Sequence, residues 1–582
     1  MQLKSHLADR QVINLLHDRT IVYLILVLLL YLSLGEMYHN IHTSYINVWG
    51  IKIRRLGDAM LFAFPLLLMK KKYLIFVYLI LVNAYFLSIV WYYRVYCTIM
   101  PLTSYLMVYN LDGLLPSVLR LIQIRDLFLV LPFAVFGVFY CCIYKEMKWS
   151  VFSRGKTLIF GILVLGGIVL PNAFKRSEPN NCKTLNTYFA LEPLRTFKEY
   201  GVIHFWIYQF GARRGVSDVE KEYARCFMQD VGNGNNCAKP KIEESKNLIL
   251  ILVESLQSWP IGMKIDGIEV TPHINHLLDL NMTVHFLKEM PQVRDGRSSD
   301  AQLIINTGLL PLTTGAASSL CATNVFSSLP EALGKKGYTT ASFLCDDKYF
   351  WNQEATSLAY HFDELYDHLW SGGGVEQADE QLFARVLPLL EQLQQPFYAQ
   401  VVTLSSHHPF IKPRVVTPLD KVNIANSEAK DYMIVLHYVD QCIGFFLEQL
   451  KEKGLYDNSV IVITGDHEAL PFNQYEGRKE MSGEDCFVPF IILNSPLSSK
   501  HTDKVIGQID IYPSLLDLMG CSNYSFTGLG ESVFGDEISN YAMYQSMGLS
   551  SGGMNVPDSV KRHREECWKV SDILLRMNYF RK

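Results

Sequence analysis

Long uncharged apolar runs dominate the first 171 residues, whereas short β-branched runs separated by amphipathic stretches dominate the chain beyond residue 246. In the first region the runs are 21–34, 59–69, 73–93, 127–144 and 157–171. Allowing for polar flanks and tilt, four of these approach the roughly 20 residues that cross a bilayer. The run 59–69 is the short one, and Lys70, Lys71 and Lys72 follow it at once. The pattern predicts an α-helical membrane bundle of about five spans. Farther on, candidate strands fall at 248–253, 339–344, 397–404, 459–463 and 490–493. The clearest helix covers 430–453, with Ile434, Tyr438, Cys442, Phe445, Phe446 and Leu450 recurring at helical spacing as its core face. Strands alternating with helices predict βαβ units around a largely parallel central sheet.

These shifts divide the chain into a transmembrane domain at 1–171, a polar extracytoplasmic connector at 172–246, a catalytic α/β domain at 247–545 and an extension at 546–582 packed on that domain. Parity decides where the later parts lie. With five spans and the N-terminus inside, inner segments hold ten Lys and Arg residues and the two outer loops hold six, which is the positive-inside bias. The first run is followed by Gly35-Glu-Met-Tyr-His39 rather than a small-residue cleavage site, so the first span is expected to stay as an anchor.

Charge changes the picture little. A net charge of −4 over 582 residues, with no basic tract carrying interleaved aromatics, gives no support for nucleic-acid binding. Of twelve cysteines, nine lie beyond the apolar region, an odd number that leaves at least one thiol unpaired. Cys226 and Cys237 are the best local disulfide candidates if this half is exported, and the cysteines within apolar patterns are expected to be free thiols.

The chemistry is concentrated at strand ends. Asn458-Ser-Val-Ile-Val-Ile-Thr-Gly-Asp-His467 reads as a buried parallel strand that delivers Asp466 and His467 at its carboxyl end, where open α/β sheets bind ligands. Asn247-Leu-Ile-Leu-Ile-Leu-Val253 ends in the same way, on Glu254 and Ser255. Carboxylate oxygens and imidazole nitrogen suit Mn²⁺, Zn²⁺ or Mg²⁺, so Glu254, Asp466 and His467 form a plausible partial metal shell. Arg294-Asp-Gly-Arg-Ser-Ser-Asp-Ala301 places two hydroxyls in a Gly-containing turn, and a serine beside a divalent cation is an activated nucleophile. Taken alone, that serine pair would read as an ordinary helix cap. Ser405-Ser-His-His-Pro-Phe410 brings two histidines to a third strand end, where one could donate a proton or hold a charged group.

Together, Glu254, Gly296-Arg-Ser-Ser-Asp300, Ser406-His-His-Pro-Phe410 and Thr464-Gly-Asp-His467 resemble the lipoteichoic acid synthase branch of the sulfatase-like, alkaline-phosphatase-type superfamily. The resemblance covers about 247–520, and five spans before an external domain is also that family's layout. It implies metal ligands at Glu254, Ser298, Asp466 and His467, with Ser298 also in the nucleophile's place and His407 in that of the catalytic-site histidine. It implies substrate contacts at Trp351, Gln353 and His407. It further implies transfer of phosphoglycerol from phosphatidylglycerol to an envelope glycan or lipid acceptor, with one divalent metal, manganese before magnesium or zinc. The setting would be a multi-pass protein of the bacterial cytoplasmic membrane. The chain departs from the pattern at Leu344 and Gln353, where the family has histidine and arginine, and at Glu468-Ala-Leu-Pro471 after the Asp-His pair. Glutamine cannot supply the charge with which arginine grips phosphate. Phosphoethanolamine transfer and phosphodiester hydrolysis are the alternatives on the same scaffold. Sulfate-ester hydrolysis is disfavoured because Ser298-Ser-Asp-Ala-Gln302 lacks the Pro and Arg of the formylglycine motif.

Overall fold

The computed structural model describes residues 19–41, 49–69, 71–96, 121–142, 154–175, 201–207 and 216–234, a few isolated positions between them, and then 246–469 and 486–581 apart from 323, 349, 372–373, 425–426, 522 and 546–547. Two compact units result, one comprising 1–106 with 113–213 and the other 107–112 with 214–582.

In the first unit, helices cover all five apolar runs: α1 (Arg19–Asn40), α2 (Trp49–Leu68), α3 (Lys72–Tyr96), α4 (Asp126–Cys142) and α5 (Arg154–Lys175). Among the described residues, two of them, over Thr20–Asn40 and Tyr73–Arg94, are long and apolar enough to cross a membrane. Helix α2 starts ten residues before its apolar run because Lys52, Arg54, Arg55 and Asp58 lie in its first half. That charge density separates it from α1 and α3.

The second unit begins with α6 (Asp218–Gly234), a helix inside what reads as a polar connector. Cys226 is exposed on it, while Cys237 lies outside the described residues, as does Cys182. The sheet that follows has eight strands: β1 (Asn247–Val253), β2 (Val284–Met290), β3 (Thr339–Leu344), β4 (Glu364–Tyr366), β5 (Phe397–Val402), β6 (Ser459–Gly465), β7 (Val488–Leu493) and β8 (Ile506–Gly507). Their order is β8-β2-β7-β6-β1-β5-β3-β4. Neighbours run parallel except at β7, which opposes both β2 and β6. All five expected strands are present. Strands β2, β4 and β8 were not legible, since β2 alternates too weakly and the other two are two or three residues long.

Burial on both faces explains the continuous apolar runs of β1 and β6. Leu248, Leu250 and Leu252 enter one core, Ile249, Ile251 and Val253 the other, and every residue of β1 is buried. Each fully buried aliphatic side chain of this kind is worth roughly 1.5–3 kcal/mol. Two further helices are α7 (Ser298–Thr307) and the long α8 (Ser427–Glu452), which covers the second face. Of its expected core positions, Phe445 is instead 65% exposed, because it sits one residue, and so about 100° around the helix, from the buried Phe446. The C-terminal helix α9 (Asp558–Met577) inserts Cys567, Trp568, Ile573 and Leu574 into the first core, and Arg564 on it pairs with buried Asp510 at 3.0 Å. Cys321, Cys345, Cys442, Cys521 and Cys567 are buried free thiols.

Register positions the site. Leu252 lies opposite Val402 on one side and Thr464 on the other, and Val253 lies opposite Gly465. Strands β5, β1 and β6 therefore end level, and the residues after each emerge on one rim. Asn247 fixes the other end of this alignment: its Oδ1 accepts from Phe397 N at 3.0 Å.

Candidate functional site

Glu254, leaving β1, and Asp466 and His467, leaving β6, are all buried, and one ligand atom from each lies within 4.8 Å of the other two. Close approach is possible because residue 465 is glycine: a Cβ there would overlap the Leu256 carbonyl oxygen. Asp466 Oδ1 accepts from the backbone N–H groups of Ser255 and His467, each at 2.7 Å. Its other oxygen, Oδ2, is buried with no hydrogen-bond partner. Glu254 is held by Thr403 Oγ1, which accepts from its backbone N–H at 3.0 Å, and by Ser406 Oγ, which donates to its carbonyl at 2.6 Å.

Ser298 opens α7. Its Oγ lies 3.1 Å from Glu254 Oε2 and 3.3 Å from His467 Nε2. Ser299 turns away, donating to Gly296 O at 2.7 Å and meeting Ser318 Oγ at 3.0 Å. The loop before α7 is tied down by Asp300, whose Oδ2 accepts from the N–H groups of Arg294 and Gly296, both at 2.9 Å. Arg297 takes a backbone conformation (φ 44°, ψ −118°) that a side-chain-bearing residue rarely adopts. Its guanidinium is fastened to Glu468, with Nη1 donating to Oε1 at 2.6 Å and Nη2 to the carbonyl oxygen at 2.8 Å.

Charge is arranged to favour a cation. Burial raises the pKa of Glu254, and burial together with the Glu254 charge raises that of Asp466 well above the carboxylate range. Burial and the nearby Arg297 charge push His467 well below its usual value, so its imidazole is neutral. Two like carboxylates, an orphaned oxygen and a neutral imidazole in one small volume are incompletely compensated by the protein alone. A divalent cation fits that deficit, and an oxygen, oxygen, nitrogen set with a neighbouring hydroxyl suits manganese, zinc or magnesium. A second group, Asp347, Asp367 and His368, gathers at the ends of β3 and β4 and is more exposed.

His407 lies on the same rim after β5, partly buried, with Nδ1 2.6 Å from the His408 carbonyl oxygen. That contact leaves Nε2 as the titrating atom. Burial lowers its pKa, opposed by the charges of Asp346 and Asp466. Among the described residues, no hydrogen bond or ion pair joins Trp351 or Gln353 to the cluster. They flank Asn352, whose Nδ2 donates to Ser318 O at 2.9 Å, and Ser318 in turn touches Ser299. The segment carrying Trp351 and Gln353 is thus one residue removed from the serine loop. Trp351 and Asn352 both have positive φ, and Gln353 is buried.

Sequence reasoning missed Arg297, Glu468, Ser318 and Tyr544 as parts of this site. For Arg297 and Glu468 a signal existed, since each directly adjoins an expected ligand. For Tyr544, whose hydroxyl donates to Glu468 Oε1 at 2.7 Å across 76 residues of chain, none did.

Residues 246–521 match the family model described as Sulfatase. Lipoteichoic acid synthase 2 of Bacillus subtilis is 30% identical over 368 residues, covering 58% of this chain and 57% of that protein. Lipoteichoic acid synthase 1 of the same organism is 31% identical over 370 residues, covering 58% of each. The chain thus spans under two thirds of the length of these relatives. Among solved structures, a lipoteichoic acid synthase from Listeria monocytogenes is 25% identical with a TM-score of 0.48, covering 60% of this chain and 98% of that one. The strand-end cluster accordingly lies within the stretch that matches the Sulfatase family model, and over that stretch the chain is similar to lipoteichoic acid synthases.

Proposed function

We propose that the protein is a membrane-anchored, metal-dependent phosphotransferase that moves phosphoglycerol from phosphatidylglycerol to an envelope glycan or lipid acceptor through a phospho-serine intermediate. The observation that carries this reading is the Ser298 hydroxyl, presented at a helix start within 3.3 Å of two of the three clustered ligand residues. Similarity to lipoteichoic acid synthases supplies the substrate class. The region 1–171 would sit in the bacterial cytoplasmic membrane as several spans, with 172–246 linking it to an extracytoplasmic catalytic part at 247–545 and the extension at 546–582.

Glu254, Asp466, His467 and Ser298 would hold the cation, manganese foremost. When bound, it would stabilise negative charge on the serine oxygen and on the phosphoryl oxygens. Ser298 Oγ attacks phosphorus, its proton lying towards Glu254 Oε2, and the bond from phosphorus to the diacylglycerol oxygen breaks. His407 is neutral when the site is empty, but an anionic phosphodiester beside it raises its proton affinity. Substrate binding thereby charges the group that protonates the departing diacylglycerol. In the second half, the same Nε2 takes the proton of the acceptor hydroxyl as that oxygen displaces Ser298.

One observation favours a second head group. Asp346 interacts electrostatically with both His407 and Asp347, Asp347 groups with Asp367 and His368, and Gln353 stands where the resemblance expects arginine, so an ammonium would be held there as readily as a glycerol. Donor identity decides between them. Full-length protein in liposomes is expected to release diacylglycerol from phosphatidylglycerol in a metal-dependent reaction, and faster than from phosphatidylethanolamine. The reverse preference would assign phosphoethanolamine transfer, and turnover of an aryl sulfate with neither lipid cleaved would refute transfer altogether.

A further inference from the structure

Two arginines of the first unit have contrasting surroundings. Arg94 on α3 is tied to a counter-charge: Nη1 and Nη2 donate to the two carboxylate oxygens of Asp126 at 2.9 and 2.6 Å, and Nη2 also donates to Asn40 Oδ1 at 3.2 Å. Arg55 on α2 has no such partner. Its guanidinium lies over the Tyr31 ring of α1, 4.1 Å from the centroid, and its Nε is buried without a hydrogen-bond partner. Among the described residues, no oxygen accepts from this guanidinium and no carboxylate pairs with it. Asp58, one turn along α2, is engaged elsewhere, since its Oδ2 accepts from Val202 N at 3.2 Å and its charge faces Arg54.

Space for the Arg55 group is built into the neighbouring helix. Residue 35 is glycine, and a Cβ there would come within 2.8 Å of Arg55 Nη1. Tyr31 and Gly35 are one turn apart on α1, so ring and gap form one face that receives the guanidinium. A guanidinium keeps its charge wherever it is placed. The ring offsets part of the cost of holding that charge away from water, and a hydrogen-bonding anion would offset the rest. As helix, the apolar run 59–69 is about 16 Å long, roughly half of a hydrocarbon core of about 30 Å. If α2 spans, Arg55 therefore lies in the half nearer its start, beneath the headgroups, where arginine draws lipid phosphates inward. A phosphate diester matches the guanidinium fork, which binds phosphate oxygens in pairs.

We propose that Arg55, set over Tyr31 and against Gly35, is a binding site for the phosphate of an anionic phospholipid, in a different unit from the strand-end cluster. The proposal rests on the reading of 1–171 as a membrane part. Its test is a titration of the metal-free full-length chain, in detergent micelles, with phosphatidylglycerol, read by mass spectrometry of the intact complex. Without metal no lipid is consumed, and lipid held at other sites is common to all variants, so their difference reads Arg55. Thermal melting checks that each variant folds. Arg55→Gln is expected to weaken phosphatidylglycerol binding about tenfold, the worth of one charge-assisted contact to phosphate. Arg55→Lys should fall between it and wild type, because it keeps the charge and loses the fork. Gly35→Ala should also weaken binding while favouring the helix, a combination that a loss of folding does not produce. Phosphatidylcholine, which carries phosphate but no net charge, should bind more weakly, and glycerol phosphate at the same concentration should not compete. Should Arg55→Gln fail to fold, Gly35→Ala and Tyr31→Leu read the same contact. Undiminished binding in the variants overturns the site. Equal binding of phosphatidylcholine, or competition by glycerol phosphate, overturns the anionic lipid as its ligand. A chain that stays monodisperse without detergent overturns the membrane reading as well.

Discussion

Ser298→Ala is expected to abolish diacylglycerol release, with a loss of at least about four orders of magnitude, as for removal of any covalent nucleophile. Ser299→Ala is expected to retain most of it. The two hydroxyls are adjacent in sequence but occupy different environments. Ser298 Oγ faces Glu254 and His467, whereas Ser299 Oγ is spent on Gly296 O and Ser318. Losing the latter costs roughly 1 kcal/mol of stability rather than a reacting atom. Ser298→Thr should stay measurably active, since it keeps a hydroxyl at the same carbon. Initial rates on lipid vesicles measure all three, and an inactive Ser299→Ala beside an active Ser298→Ala would move the nucleophile by one residue.

The second large effect concerns the acidic cluster. Removing divalent metal is expected to abolish activity and added Mn²⁺ to restore it, while Asp466→Ala or Glu254→Ala should lower bound metal per chain, read by elemental analysis. Full occupancy in both variants would take these carboxylates out of the metal shell. A pH signature accompanies the metal. In the metal-free protein both carboxyls have pKa values above those of the unfolded chain, so the folded state binds more protons. Metal-free stability is therefore fullest below the unfolded carboxylate values near about 4, and is lost as pH rises through the raised folded ones. A cation supplies the missing counter-charge, so the melting-temperature rise caused by Mn²⁺ should grow from about pH 5 to pH 8. A rise that shrinks over that range would mean that the site is not carboxylate-based.

Much of the architecture was legible because burial writes itself into composition. Strands covered on both faces must be apolar throughout, so β1 and β6 announce themselves, and the polar residues directly after them stand out as Glu254, Asp466 and His467. The same logic found α8 but misjudged Phe445, since a helical repeat leaves the edge of the apolar stripe undecided by a residue. In the first 171 residues the same logic located five helices, of which two, among the described residues, are long and apolar enough to cross a membrane.

What the sequence determined by itself were the elements and the ligand types, because periodicity and strand-end chemistry are local. Which of Ser298 and Ser299 meets the cluster was decided only by the three-dimensional loop, in which Asp300 gathers the Arg294 and Gly296 amides and Arg297 adopts its unusual backbone angles. The alignment of three strand ends likewise depends on register, which pairs Val253 with Gly465 and Leu252 with Val402. The contact between Arg297, Glu468 and Tyr544 joins segments up to about 250 residues apart. No local pattern encodes such a contact, because its physical basis is a buried charge finding its partner after the chain has folded.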